Sequence, residues 1–106
     1  MKCWQTGLKM SKSESQFEQE FCTWLKRKGC YVIKNNAGAG VPKGTPDRTV
    51  LMPGGGWAML EFKKSAKDKY QALQQEQLYR LKQMFYSATV YPENAAQIKA
   101  EIEGML

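Results

Sequence analysis

Apolar and polar positions change period repeatedly along this chain, and each change marks an element. From Ser13, placed to cap a helix, Phe17, Phe21, Trp24 and Leu25 recur at the spacing of one helical face. Lys26-Arg27-Lys28-Gly29 then supplies a basic last turn and a glycine stop. Cys30 to Lys34 is a short β-branched and aromatic run that predicts a strand, and the aperiodic stretch from Asn35 to Pro46 predicts a loop. That loop is long for its domain, which marks it as a functional candidate. Two further strand-like runs, Arg48 to Met52 and Trp57 to Phe62, are joined by Pro53-Gly54-Gly55-Gly56. In the second run Ala58, Leu60 and Phe62 alternate with Trp57, Met59 and Glu61, so one face is core and the other carries an acid. After a charged connector, Lys64 to Lys69, a helix is predicted from about Tyr70 to Tyr86, with Gln74, Leu78, Leu81 and Phe85 on one stripe. Ala88 to Tyr91 predicts a last strand, and Pro92-Glu93 opens a helix whose Ala95, Ile98, Ile102 and Met105 share a face.

The order α-β-β-β-α-β-α predicts an α/β fold, a mixed central β-sheet flanked by helices. Residues 1–12 show no period and read as a loose leader ahead of a single domain over residues 13–106; a chain of 106 residues has room for one hydrophobic core.

The hairpin predicts its own register. If its two runs pair across a three-residue loop, Met52 faces Gly56 and Asp47 faces Glu61 at the open end. Period two then puts Lys63 on the face of Glu61. Two acids and an ammonium converge, the layout of a divalent-metal hydrolytic site. Asp47 and Glu61 supply carboxylate oxygens suited to Mg²⁺ or Mn²⁺, and Lys63 is placed to orient or deprotonate water and to stabilise charge on phosphorus. A lone Glu-x-Lys triplet is more often a pair of solvated surface charges. Its pairing with Gly44-Thr45-Pro46-Asp47 at hairpin spacing is what favours the site.

Composition narrows the chemistry. The chain has no histidine, which excludes Ser-His and Cys-His nucleophilic catalysis and leaves carboxylates, lysines and metals. Against 10 Asp and Glu stand 16 Lys and Arg, a formal charge of +6 that suits a polyanionic partner. Cys3, Cys22 and Cys30 are odd in number and lack paired metal-ligand spacing, as expected of a reduced, cytoplasmic protein. No secretion signal, membrane span or basic amphipathic membrane helix is read from the chain.

With these motifs in this order, the chain resembles the PD-(D/E)XK nuclease superfamily, and within it the small stand-alone VRR-NUC (virus-type replication-repair nuclease) domains common in phages. The resemblance covers residue 14 to about 103 and rests on a helical Glu, Gly44-Thr45-Pro46-Asp47, Glu61-Phe62-Lys63 and Gln74. It implies a restriction-endonuclease-like core in which Asp47, Glu61 and the Phe62 carbonyl bind metal and Lys63 is the catalytic lysine. Glu14 is implied to complete the metal shell: its spacing to Phe17, Phe21 and Gly29 selects it, with Glu18 as the alternative. Gln74 resembles a glutamine that supports the site, and its stripe distinguishes it from Gln71, Gln75 and Gln77. The family usually ends this helix with glycine, where Phe85 stands here.

Lys34, Asn36, Lys43, Arg48, Lys64, Lys67 and Lys69 are the candidate phosphate contacts, which position a substrate without reading its sequence. Trp24 reads as core, Trp57 as packing on the hairpin face, and Trp4 is unassigned. The reading is therefore a metal-dependent DNA endonuclease, selective for branched DNA such as a four-way junction. It acts as a homodimer, with no small-molecule cofactor, in a bacterial host's cytoplasm if phage-encoded. The alternatives are a non-catalytic nucleic-acid-binding module, whose binding would be metal-independent and survive loss of Asp47, or a structural subunit of a phage replication or packaging machine.

Overall fold

The computed structural model describes residues 13–36, 38–66 and 72–106. Its elements are α1 (Glu14–Arg27), β1 (Tyr31–Lys34), β2 (Arg48–Leu51), β3 (Trp57–Phe62), α2 (Ala72–Met84), β4 (Ser87–Val90) and α3 (Ala95–Glu103), in the expected order. Helix α1 begins where Ser13 and Gln16 each accept the other's backbone N–H, a reciprocal cap that satisfies donors the first turn leaves open.

The four strands lie side by side in chain order. β1, β2 and β3 pair antiparallel, while β3 and β4 run parallel with α2 as the crossover. Leu51 faces Trp57 and Arg48 faces Leu60, and the Met52 N–H donates to the Gly56 carbonyl at 2.8 Å. Extending this ladder by one step sets Asp47 opposite Glu61, the register expected from loop length. The turn needs left-handed backbone at Gly54 and Gly55, with φ of 94° and 103°, which explains the glycine run.

Alternation sends Val50, Ala58, Leu60, Phe62 and Val90 into one core with α1 and α3; all are at most 1% exposed. Phe62 meets Phe17 and Phe21 edge to face, with ring centroids 6.0 and 5.5 Å away. The side chain between Glu61 and Lys63 is thus held by two rings of α1. Helix α2 covers the other face: Ser87 Oγ donates to the Leu78 carbonyl, and Phe85 packs on Trp57 at 6.0 Å. Trp57 therefore packs on the hairpin face, and Trp24 is partly buried against the core.

Boundaries differ from expectation by a residue or more, and β1 starts at Tyr31, β2 ends at Leu51 and β4 ends at Val90. α2 ends at Met84 rather than Tyr86, and β4 starts at Ser87 rather than Ala88. Tyr86 has already left the helix: it is buried, its carbonyl accepts from the Met59 N–H, and its hydroxyl donates to Glu101. α3 starts at Ala95 rather than at Pro92-Glu93, because the Asn94 side chain holds the preceding turn by bonding the Tyr91 N–H and the Thr89 carbonyl. The expected α2 start near Tyr70 and the leader over residues 1–12 lie outside the described residues. No described helix is long and apolar enough to cross a membrane.

Candidate active site

Hairpin register and strand alternation bring Asp47, Glu61 and Lys63 to one end of the sheet, on the face opposite the phenylalanine core. Asp47 Oδ2 accepts the Phe62 N–H at 2.9 Å, which ties the start of β2 to the end of β3. Glu61 is only 4% exposed. Its Oε2 lies 3.5 Å from Lys63 Nζ and accepts from Gln74 Nε2 at 3.0 Å. Lys63 also donates to Gln74 Oε1, at 3.4 Å. The Gln74 amide thus bridges acid and lysine, with its carbonyl towards the cation and its NH₂ towards the carboxylate. That is the orientation its donor and acceptor chemistry requires.

The electrostatics are those of a site short of positive charge. Burial, and then the neighbouring Asp47 charge, push the Glu61 carboxyl up to about 7, against the opposing pull of Lys63. Asp47 is raised for the same first reason, burial, with Glu18 adding to it and the Phe62 N–H, Lys63 and Lys34 counteracting. Glu61 Oε1 is buried with no hydrogen-bond partner among the described residues. An orphaned carboxylate oxygen beside a second carboxylate fits a hard cation. No three Asp, Glu, Cys or His side chains among the described residues form a metal-binding group. Asp47 and Glu61 are the described residues that would hold such an ion, with water completing the set that Mg²⁺ takes.

No family model and no curated protein matches the sequence. Among solved structures, the chain is similar to a VRR_NUC domain, with a TM-score of 0.70 and 18% identity, covering 82% of this chain and 94% of that one. It is also similar to Hjc, a Holliday junction resolvase of Archaeoglobus fulgidus, with a TM-score of 0.50 and 22% identity, covering 73% of this chain and 67% of that one. The chain shares the fold of these two structures.

Within that fold the remaining candidates separate. Glu14 is exposed in the first turn of α1, and no described contact joins it to Asp47 or Glu61. Glu18, the alternative one turn further on, is the first-helix acid whose charge reaches Asp47. Since one helical turn rises about 5.4 Å, Glu14 stands a turn short of the acids. Arg48, expected among the phosphate contacts, instead donates to Glu18 at 2.6 Å, with side chains 17% and 13% exposed. The missed signal is alternation: Arg48, Val50 and Met52 share the core face of β2, so Arg48 points beneath α1.

Lys34 and Lys43 are exposed and, with Asn36, line a cleft of about 730 Å³ that ends at Asp47 and Gln74. Lys64 is exposed beyond Lys63. Lys67 and Lys69 lie outside the described residues. Asn35, expected only as the start of the long loop, has a structural role. Its side chain donates to the Pro46 carbonyl and to Thr49 Oγ1, pinning the long loop where Asp47 begins β2.

Proposed function

We propose that this protein is a metal-dependent DNA endonuclease that hydrolyses phosphodiester bonds and selects branched DNA. The observation that carries the proposal is Glu61, a buried carboxylate with one oxygen unpartnered, held against Asp47, Lys63 and Gln74 within a PD-(D/E)XK fold. A divalent cation, Mg²⁺ or Mn²⁺, supplies Lewis-acid polarisation of the phosphate and acidification of water when bound. Asp47, Glu61 and the Phe62 carbonyl would hold it. Lys63 presents its ammonium to the attacking water and to charge growing on the phosphate oxygens. Gln74 positions both Glu61 and Lys63. Water adds at phosphorus, the P–O bond to one sugar oxygen breaks, and the products are a phosphomonoester and a hydroxyl. Gln74 and Lys63 touch the same Glu61 oxygen, so Oε1 is the oxygen that would be available to a cation.

Selection of branched DNA is supported by the likeness to a Holliday junction resolvase and by the lysine-lined cleft beside Asp47. A homodimer, which would put two sites on one branched substrate, is supported by the face of β1 and β2 that the described residues leave exposed. There Tyr31 and Leu51 are paired neighbours, 69% and 44% exposed. The test incubates the protein and its Lys63→Ala form with four-way, flap and linear DNA in Mg²⁺ or Mn²⁺. The expected result is cutting of branched DNA that falls by about two orders of magnitude or more in Lys63→Ala. Equal rates for both, or no cutting by either, overturns the proposal.

A further inference from the structure

Beside the candidate active site, the loop between β1 and β2 stands against the start of α2, and the cleft of about 730 Å³ lies between them. Its size is within the range that encloses a small ligand, and it exceeds what a bare phosphate needs. The exposed lysines Lys34 and Lys43 mark its mouth. Val41 and Leu73 give it aliphatic walls, and its inner end is Asp47 with Gln74.

The walls are built into the fold. The Thr45 N–H and hydroxyl both bond the Pro42 carbonyl, the Val41 N–H donates to the Gly38 carbonyl, and Gln77 Nε2 on α2 donates to the Lys43 carbonyl. At Gly44 the loop backbone touches α2 so closely that an added Cβ would lie 2.9 Å from the Leu73 carbonyl oxygen. The loop therefore holds the cleft open before anything binds.

Resting on the nuclease reading above, we propose that this cleft receives one nucleotide next to the scissile phosphate, its base unpaired and drawn out of the helical stack. Phosphate recognition alone asks for cations on an open surface. Here the cations stand at the mouth of a concave site with apolar walls, which suits a sugar and base between two held phosphates. Among the described residues no aromatic side chain lines the cleft, so these hold the base by aliphatic contact and by amides rather than by stacking. Extrusion costs least where pairing is already broken, so the preference for branch points follows from the cleft.

The experiment places 2-aminopurine on either side of the branch point in flap and four-way DNA. Fluorescence is read on binding to the Lys63→Ala protein in Ca²⁺, so that nothing depends on cutting. The expected result is a several-fold rise at one of the two positions, since a base drawn out of the stack loses the neighbours that quench it. The rise is lost in a second protein that also carries Leu73→Trp, which fills the cleft from an exposed helix position; circular dichroism checks that this protein is folded. No rise at either position, or a rise that Leu73→Trp leaves intact, overturns the proposal. A rise together with no cutting by the wild type would remove the nuclease reading and leave the nucleotide site standing.

Discussion

Glu61 is buried, and its Oε1 meets no donor among the described residues, so its ionisation works against folding when no cation is present. The folded carboxyl keeps its proton up to about pH 7, whereas an ordinary one loses it near 4.5. Between those values the folded chain holds a proton that the unfolded chain has released. Stability therefore falls as pH rises from about 4.5 to about 7, and the loss is complete above that. The swing is about 3 kcal/mol at most. Glu61→Gln keeps a polar group of the same shape without the charge. In chelator, it is expected to unfold at higher temperature than the wild type at pH 8 and at nearly the same temperature at pH 4. Scanning calorimetry measures both. Added Mg²⁺ should raise the wild type at pH 8 and leave Glu61→Gln unmoved, since binding to the native state alone stabilises it. Equal melting at pH 8 in chelator would mean that the buried charge is relieved by a group outside this cluster.

At the scale of elements, α1 reaches the site from beneath the sheet through Glu18 and Arg48. Removing one member of such a half-buried pair strands the other, so Arg48→Ala is expected to cost about 2 kcal/mol, with Arg48→Ala/Glu18→Ala costing less than the sum of the singles. Urea unfolding of the four proteins gives the coupling. The same Arg48→Ala protein should bind DNA with an unchanged salt slope, as befits a side chain turned away from the cleft. A slope reduced by about one would restore it as a phosphate contact.

The hairpin was legible because loop length and period two together determine which residues face each other, and Asp47, Glu61 and Lys63 followed from that. Gln74 was legible from its stripe with Leu78 and Leu81. The first-helix acid was not. Choosing between Glu14 and Glu18 requires knowing how far α1 slides along the sheet, and that depends on the phenylalanine packing across the core rather than on local spacing. Arg48 turns to Glu18 because alternation along β2 sets the direction of its side chain, which its charge alone does not indicate.

For the molecule as a whole, the proposed dimer would rest on the face of β1 and β2 that the described residues leave exposed. Leu51→Glu on that face is expected to shift the mass seen by light scattering from dimer to monomer without changing the thermal unfolding of the monomer. A monomeric wild type at the same concentration would remove the dimer. The turn over Pro53, Gly54 and Gly55 has a consequence for the molecule's tolerance of length changes. Surface turns rich in glycine ordinarily accept insertions freely. Here one extra residue that slid β3 by a single step would turn Glu61 towards the phenylalanines and Phe62 towards Gln74, exchanging the acid for a ring. An inserted glycine should therefore abolish metal-dependent stabilisation, even though it is placed at the far end of the hairpin. A retained Mg²⁺ shift in melting temperature would mean that a bulge had absorbed the extra residue. A loop that looks dispensable is the part of this chain in which a change of length, more than a change of side chain, is expected to be lost from working copies.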